Sequence, residues 1–200
     1  MVVLDYGSGN LRSAERALAR VGADVTVTAD YDAALGADGL VVPGVGAFAA
    51  VMEGVDSVRG REVVEQRVLA ERPVLGICVG MQVLFSEGVE HGLRVRGIDA
   101  LPGTVRRLQA PVLPHMGWNT VAPDPESLLL DGLPTDERYY FVHSYAVSGP
   151  VAGSTVSTAT HGSSTFAAVV ERGELRATQF HPEKSGDAGA HLLENWLTTL

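Results

Sequence analysis

Up to Glu87, short unbroken apolar runs alternate with stretches in which apolar residues recur every three or four positions. Val2 to Leu4 predicts a buried strand, and Gly7-Ser8-Gly9-Asn10 a turn. Leu11, Ala14, Leu18 and Val21 then fall at helical spacing, and Gly22 closes that helix. Val25 to Thr28 predicts a second strand, and Gly39 to Val42 a third that ends at Pro43-Gly44-Val45-Gly46. A helical region lies between Val58 and Leu69, with Val63, Val64 and Val68 towards the core. Pro73 opens a strand that runs into Cys78, and a helix-compatible run follows from Met81 to Phe85. Strands alternating with helices require crossover connections, and so predict a parallel sheet covered on both faces. Ligands gather at the carboxyl ends of such strands. The glycine-bearing turns at Gly7, Gly44 and Gly76 are therefore expected along one edge.

After Glu87 the period changes. Thr104 to Arg106, Gly117 to Val121, Arg138 to His143, Thr155 to Thr158, Thr165 to Val170 and Leu175 to Gln179 read as short strands without intervening helices. This half predicts an antiparallel extension from which a strand or two rejoins the main sheet. Ala188 to Leu200 closes the chain as a helix, with Leu192, Leu193, Trp196 and Leu197 on its inner face. No repeat, low-complexity tract or linker interrupts the pattern, so residues 1–200 are expected to form one α/β domain.

Composition narrows the function classes. The chain has 200 residues, enough to bury a full core, and 46% of them are hydrophobic. Fifteen basic against twenty-four acidic side chains leave a formal charge of −9, which lacks the basic footprint of a nucleic-acid binder. The N-terminus has no basic start or long apolar segment, and no apolar run approaches a membrane span. A single cysteine excludes a disulfide framework and fits a reducing cytoplasm. Zinc catalysis is not expected, because neither His-Glu-x-x-His nor paired-cysteine spacing occurs.

That cysteine is Cys78, set in Gly76-Ile77-Cys78-Val79-Gly80-Met81-Gln82 at a strand-to-helix junction. The arrangement is the cysteine form of the Gly-x-Ser-x-Gly nucleophile elbow, whose sharp turn lifts the nucleophile at a strand end. Glycines two residues to either side let neighbouring backbone approach, and the next helix's first amides favour thiolate. The plainer reading is a buried structural cysteine. A nucleophilic cysteine needs a base, and the base needs an orienting group. Of six histidines, His181 in Gln179-Phe180-His181-Pro182-Glu183-Lys184-Ser185 is best placed, after a strand and before a proline that biases it to extended geometry. Residues two apart in extended backbone point the same way, so Glu183 can lie behind the imidazole and choose its tautomer. Alone, this stretch also reads as a solvated loop histidine with a surface glutamate. For an oxyanion, the amide of Val79 is one donor, and the Gly44-Val45-Gly46 loop offers another at the same edge.

Together these stretches resemble the class I glutamine amidotransferases, whose nucleophile, base and orienting acid match Cys78, His181 and Glu183. Tyr6-Gly7-Ser8-Gly9-Asn10-Leu11, Pro43-Gly44-Val45-Gly46-Ala47-Phe48, Pro114-His115-Met116-Gly117-Trp118-Asn119 and Tyr140-Phe141-Val142-His143-Ser144-Tyr145 narrow the resemblance. They are similar to the branch that serves as glutaminase subunit of imidazole glycerol phosphate synthase. The one departure, Val79 where many relatives carry leucine, leaves the backbone amide in place. The resemblance implies a flavodoxin-like fold, no cofactor, and hydrolysis of L-glutamine through a Cys78 thioester. It further implies an oxyanion hole from Gly44, Val45, Gly46 and Val79, and glutamine contacts from Gln82, Ser144 and Tyr145. Ammonia would pass to a cyclase subunit of (β/α)8-barrel fold, as a heterodimer in histidine biosynthesis, with His115, Trp118 and Lys184 on the interface side.

Three rival readings remain at this point. Val2 to Tyr6, Gly7-Ser8-Gly9 and a strand ending near Asp30 outline a dinucleotide-binding unit, but Arg12 stands where its third glycine belongs. A stand-alone cysteine hydrolase of similar architecture would use the same three residues. A non-catalytic interaction subunit would have no need of an intact set.

Overall fold

The computed structural model describes every residue except Ser8, so that position of the predicted Gly7–Asn10 turn lies outside the described residues. The first half alternates as predicted: β1 (Val2–Leu4), α1 (Leu11–Arg20), β2 (Thr26–Thr28), α2 (Tyr31–Gly36), β3 (Leu40–Gly44), α3 (Phe48–Ser57), α4 (Gly60–Leu69), β4 (Val74–Cys78) and α5 (Val79–Gln82). The second half supplies β5 (Phe85–Glu90), β6 (Leu93–Arg96), β7 (Leu101–Arg107), β8 (His115–Thr120), β9 (Arg138–His143), β10 (Tyr145–Ala146), β11 (Thr155–His161), β12 (Ser164–Arg172) and β13 (Leu175–Thr178). A 3₁₀ turn (Pro182–Lys184) and α6 (Gly186–Leu197) follow.

The main sheet runs β11-β12-β13-β4-β3-β1-β2. From β13 to β2 every pairing is parallel, whereas β11, β12 and β13 meander antiparallel. The parallel strands read as continuous apolar runs because both of their faces are covered. Val3, Val41 and Leu75 stand side by side in register and are fully buried. A second sheet, β10-β7-β5-β6, and the β8–β9 ribbon flank the carboxyl edge of this core.

Several boundaries differ from the sequence expectation, each for a local reason. Tyr31–Gly36 is helical because the Asp30 side chain caps it, accepting the Ala33 amide at 2.7 Å. Phe48, Val51, Met52 and Val55 lie on one buried helical face, a period the sequence carries. Arg59 takes a left-handed conformation between α3 and α4, so Val58 belongs to neither helix. The run after Met81 is not helical to Phe85: α5 is a single turn, and the fully buried Phe85 already begins β5. Gly76 lies inside β4, opposite Val42 and Ala177, so the edge turns follow Gly44 and Cys78 instead. The antiparallel extension does rejoin the sheet, through β13 beside β4.

Arg67 is a buried cation that forms no ion pair among the described residues. From α4 its guanidinium donates to the carbonyls of Ala34, Leu35, Ala37, Asp38 and Pro73 at 2.8–3.1 Å. It thereby satisfies carbonyls at the end of α2 and before β3 and β4, at the sheet edge away from Cys78. Burial, with Arg72 nearby, lowers its pKa to about 10.

Candidate active site

Parallel registration places Gly44, the last residue of β3, beside Cys78, the last of β4. Cys78 has φ 56° and ψ −113°, so the backbone strain falls on the sulfur-bearing residue itself, at a cost of about 1–3 kcal/mol. The flanking glycines serve close approach. A Cβ on Gly80 would lie 1.8 Å from the Val42 carbonyl oxygen, and one on Gly44 2.3 Å from the Gly80 nitrogen. A Cβ on Gly76 would lie 2.7 Å from the Leu84 side chain. The Tyr6 hydroxyl, on the segment after β1, donates to the Pro43 carbonyl and ties this edge to β1. Burial, together with nearby Cys78, raises the pKa of that phenol.

His181 is delivered from the far side of β4. Its amide donates to the Tyr140 carbonyl at 2.9 Å, and the Ser185 hydroxyl donates to the His181 carbonyl at 2.7 Å. The backbone of His181 is extended, as Pro182 predicts, but Pro182–Lys184 forms a 3₁₀ turn. Glu183 is therefore not brought round by strand alternation; the tight turn folds it back onto its neighbour. Glu183 Oε1 lies 2.7 Å from His181 Nδ1, and both side chains are at most 3% exposed. A carboxylate accepts, so Nδ1 carries the proton. Nε2 is buried and makes no hydrogen bond of ordinary geometry among the described residues. Burial disfavours the imidazolium, but the neighbouring Cys78 and Glu183 outweigh it and raise the His181 pKa to about 9. The Cys78 sulfur is approached by Gln179 Nε2 at 3.8 Å and faces the Val142 carbonyl at 3.9 Å.

Cys78 and His181 open on one cavity of about 480 Å³ at the carboxyl edge of the sheet. Val45, Gly46, Val79, Gln82, Ser144 and Tyr145 line it as well. Gly44 is buried just beneath, and Gly46 has φ 102°, so the loop between them turns at a position that only glycine adopts freely. Gln82 faces the cavity with its amide already engaged: Nε2 donates to the Tyr145 carbonyl at 2.8 Å and to Gln179 Oε1 at 3.0 Å.

The three residues expected on an interface separate. Trp118 is 52% exposed and lies edge-on to Tyr140, over whose ring the exposed Lys184 ammonium also sits, 5.9 Å from the centroid. His115, only 4% exposed, is stacked between Phe141 and His161. It points into the protein because β8 alternates its faces, whereas Trp118 on the same strand faces out. Sequence reasoning missed Glu90, His91 and Arg107 in the cavity wall. Glu90 accepts the Phe48 amide at 2.8 Å, at the start of α3. These residues sit on β5, the turn after it and the end of β7, one residue beyond the strand expected from Thr104 to Arg106.

Comparison with known proteins bears on this geometry. Residues 2–200 match the family model for class I glutamine amidotransferases. A Streptomyces coelicolor protein named imidazole glycerol phosphate synthase subunit HisH is 59% identical, over all of this chain and 93% of its own length. The Mycobacterium tuberculosis protein of the same name is also 59% identical, over all of this chain and 98% of its own length. A solved structure described as a glutamine amidotransferase superposes with a TM-score of 0.74 at 22% identity, covering 98% of each chain. A solved structure of a putative GMP synthase component from Thermoplasma acidophilum gives a TM-score of 0.72 at 21% identity, covering 98% of this chain and 91% of the other.

Proposed function

The chain belongs to the class I glutamine amidotransferases, and from that membership we propose that it hydrolyses L-glutamine as the glutaminase subunit of imidazole glycerol phosphate synthase. The observation that carries the chemistry is a buried, carboxylate-backed histidine opening on the same cavity as a strained cysteine. His181 accepts the Cys78 thiol proton through Nε2, and the sulfur attacks the side-chain amide carbon of glutamine. The tetrahedral oxyanion is held by the Val79 amide, with the Gly44-Val45-Gly46 loop supplying the second donor. Collapse of the intermediate breaks the C–N bond, and His181 returns its proton to the leaving nitrogen, releasing ammonia. His181 then activates water to hydrolyse the γ-glutamyl thioester, giving glutamate and free Cys78. Glu183 keeps Nδ1 protonated and stabilises the imidazolium throughout. Ser144, Tyr145 and Gln82 form the glutamine-facing wall.

Ammonia passes to a cyclase subunit, which makes imidazole glycerol phosphate and AICAR in histidine biosynthesis. We assign that partner a (β/α)8-barrel fold and docking on the face that carries Trp118 and Lys184. Rotation of a peptide in the Gly44-Val45-Gly46 loop on docking completes the oxyanion hole, and the flanking glycines keep the barrier to it low. The pathway places the pair in the cytoplasm, and among the described residues no helix is long and apolar enough to cross a membrane. The hydrolase and dinucleotide readings are not favoured, because relatives matching the whole chain at 59% identity carry the subunit's name.

The test is glutamate release by the chain mixed with its cyclase partner. Wild type is expected to hydrolyse glutamine many-fold faster with the partner than alone. Cys78→Ala, still folded and still bound to the cyclase, should be inactive; residual turnover in that variant would sink the assignment of Cys78.

A further inference from the structure

His143 lines the cavity, yet the glutaminase chemistry assigns it no role. It is 6% exposed and hydrogen-bonded at both ring nitrogens. Nδ1 lies 3.0 Å from the Tyr145 carbonyl, and Nε2 lies 3.0 Å from Nδ1 of the equally buried His115. His115 Nε2 in turn lies 3.2 Å from Asn119 Nδ2, whose amide also donates to the Thr160 carbonyl at 2.9 Å.

The direction of these bonds follows from the two ends. A carbonyl only accepts, so His143 Nδ1 must carry a proton. If His143 is neutral its Nε2 accepts, so His115 Nδ1 donates and His115 Nε2 accepts from Asn119. The chain closes without a clash only when both rings are neutral and both carry their proton on Nδ1. Burial, with neighbouring histidines adding like charge, pushes His115 to about 4 and His143 to about 3, which keeps both neutral at ordinary pH. Stacking of His115 on Phe141 and His161 fixes its ring plane.

At its inner end the chain reaches the chemistry. The Tyr145 carbonyl accepts from His143 on one side and Gln82 on the other. Gln82 also donates to Gln179, and Gln179 donates to the Cys78 sulfur. Each donor in this path has an acceptor, so the orientation set at β8 propagates through fixed tautomers and amides to the nucleophile.

We propose that His115 and His143 are positioning residues: a neutral, singly oriented histidine pair that fixes the Tyr145 carbonyl and, through Gln82 and Gln179, the glutamine-facing wall beside Cys78. The proposal rests on the glutaminase reading for its consequence, but the pair itself can be observed without turnover. Long-range ¹H–¹⁵N spectra of the full chain near neutral pH should show both histidines as the Nδ1–H tautomer. An Nε2–H tautomer, or a doubly protonated ring, at either position would overturn the proposal.

His115→Phe keeps the stack and removes the donor to His143. With the cyclase bound, it should raise the KM for glutamine about tenfold while kcat falls less than about threefold, the scale of one lost buried hydrogen bond. His143 should keep its Nδ1 proton, because the Tyr145 carbonyl still accepts it, while its Nε2 loses its donor. His115→Asn, whose amide nitrogen can take the place of Nδ1, should recover most of the wild-type KM. If the Phe and Asn variants lose activity equally, or only in step with their thermal midpoints, His115 is structural and the proposal fails. A wild-type complex that never hydrolyses glutamine would instead overturn the glutaminase reading, with the tautomers still deciding the pair.

Discussion

Glu183→Gln probes the charge behind the candidate base while keeping an oxygen that accepts from His181 Nδ1. In the wild type, burial pulls the imidazolium down, and Cys78 and Glu183 more than offset it, raising His181 from 6.5 to about 9. At about 1.4 kcal/mol per pH unit, that rise amounts to about 3 kcal/mol of preferential stabilisation of the charged ring in the folded chain. Because the folded value lies above the unfolded one, this stabilisation is fully present below about pH 6.5. It is lost as pH rises through about 9. Removing the carboxylate deletes one of the two opposing influences and leaves the burial penalty, so the loss should shift towards neutral pH and shrink. Urea unfolding from about pH 6.5 to about pH 9.5 reads this directly, with the His181 ring protons titrated by NMR alongside. The wild type should lose roughly 1–3 kcal/mol across the window and Glu183→Gln less than half as much. Coincident slopes for the two proteins would refute the claim that Glu183 sets the charge of His181.

Two further predictions concern the frame of the site. Gly80→Ala puts a Cβ 1.8 Å from the Val42 carbonyl oxygen, a backbone atom that cannot swing away. It should cost about 3 kcal/mol or more in chemical denaturation, and a cost under about 1 kcal/mol would show that the elbow has slack. Arg67→Met removes a buried donor from five carbonyls, of which Ala37 keeps the Arg72 guanidinium and Pro73 keeps the Leu40 amide. An expected loss of about 3 kcal/mol, with the glutamine KM unchanged in whatever remains folded, checks that this cation serves the fold alone.

Much of the site was legible because its parts are local. An elbow needs glycines two residues either side of its nucleophile, and Gly76, Cys78 and Gly80 lie within five positions. His181, Pro182 and Glu183 are consecutive, although the turn that joins them is 3₁₀ rather than extended. Where the signal was not local it could not be read: the burial of His115 depends on Phe141, His143 and His161, which come from other strands. Glu90, His91 and Arg107 escaped notice because they lie outside the strands expected from the sequence.

The amino-acid order by itself determined the alternation of strands and helices, the elbow at Cys78 and the pairing of His181 with Glu183. Each follows from periodicity or from steric rules spanning a few residues. Tertiary structure decided which strands became neighbours: β13 joins β4 from the far end of the chain, and that pairing carries His181 to Cys78. It also decided that Cys78 bears the strained φ and that two histidines from β8 and β9 meet at 3.0 Å behind the cavity. Those outcomes depend on which backbones approach within a few ångströms, and spacing along one strand or one turn does not encode that.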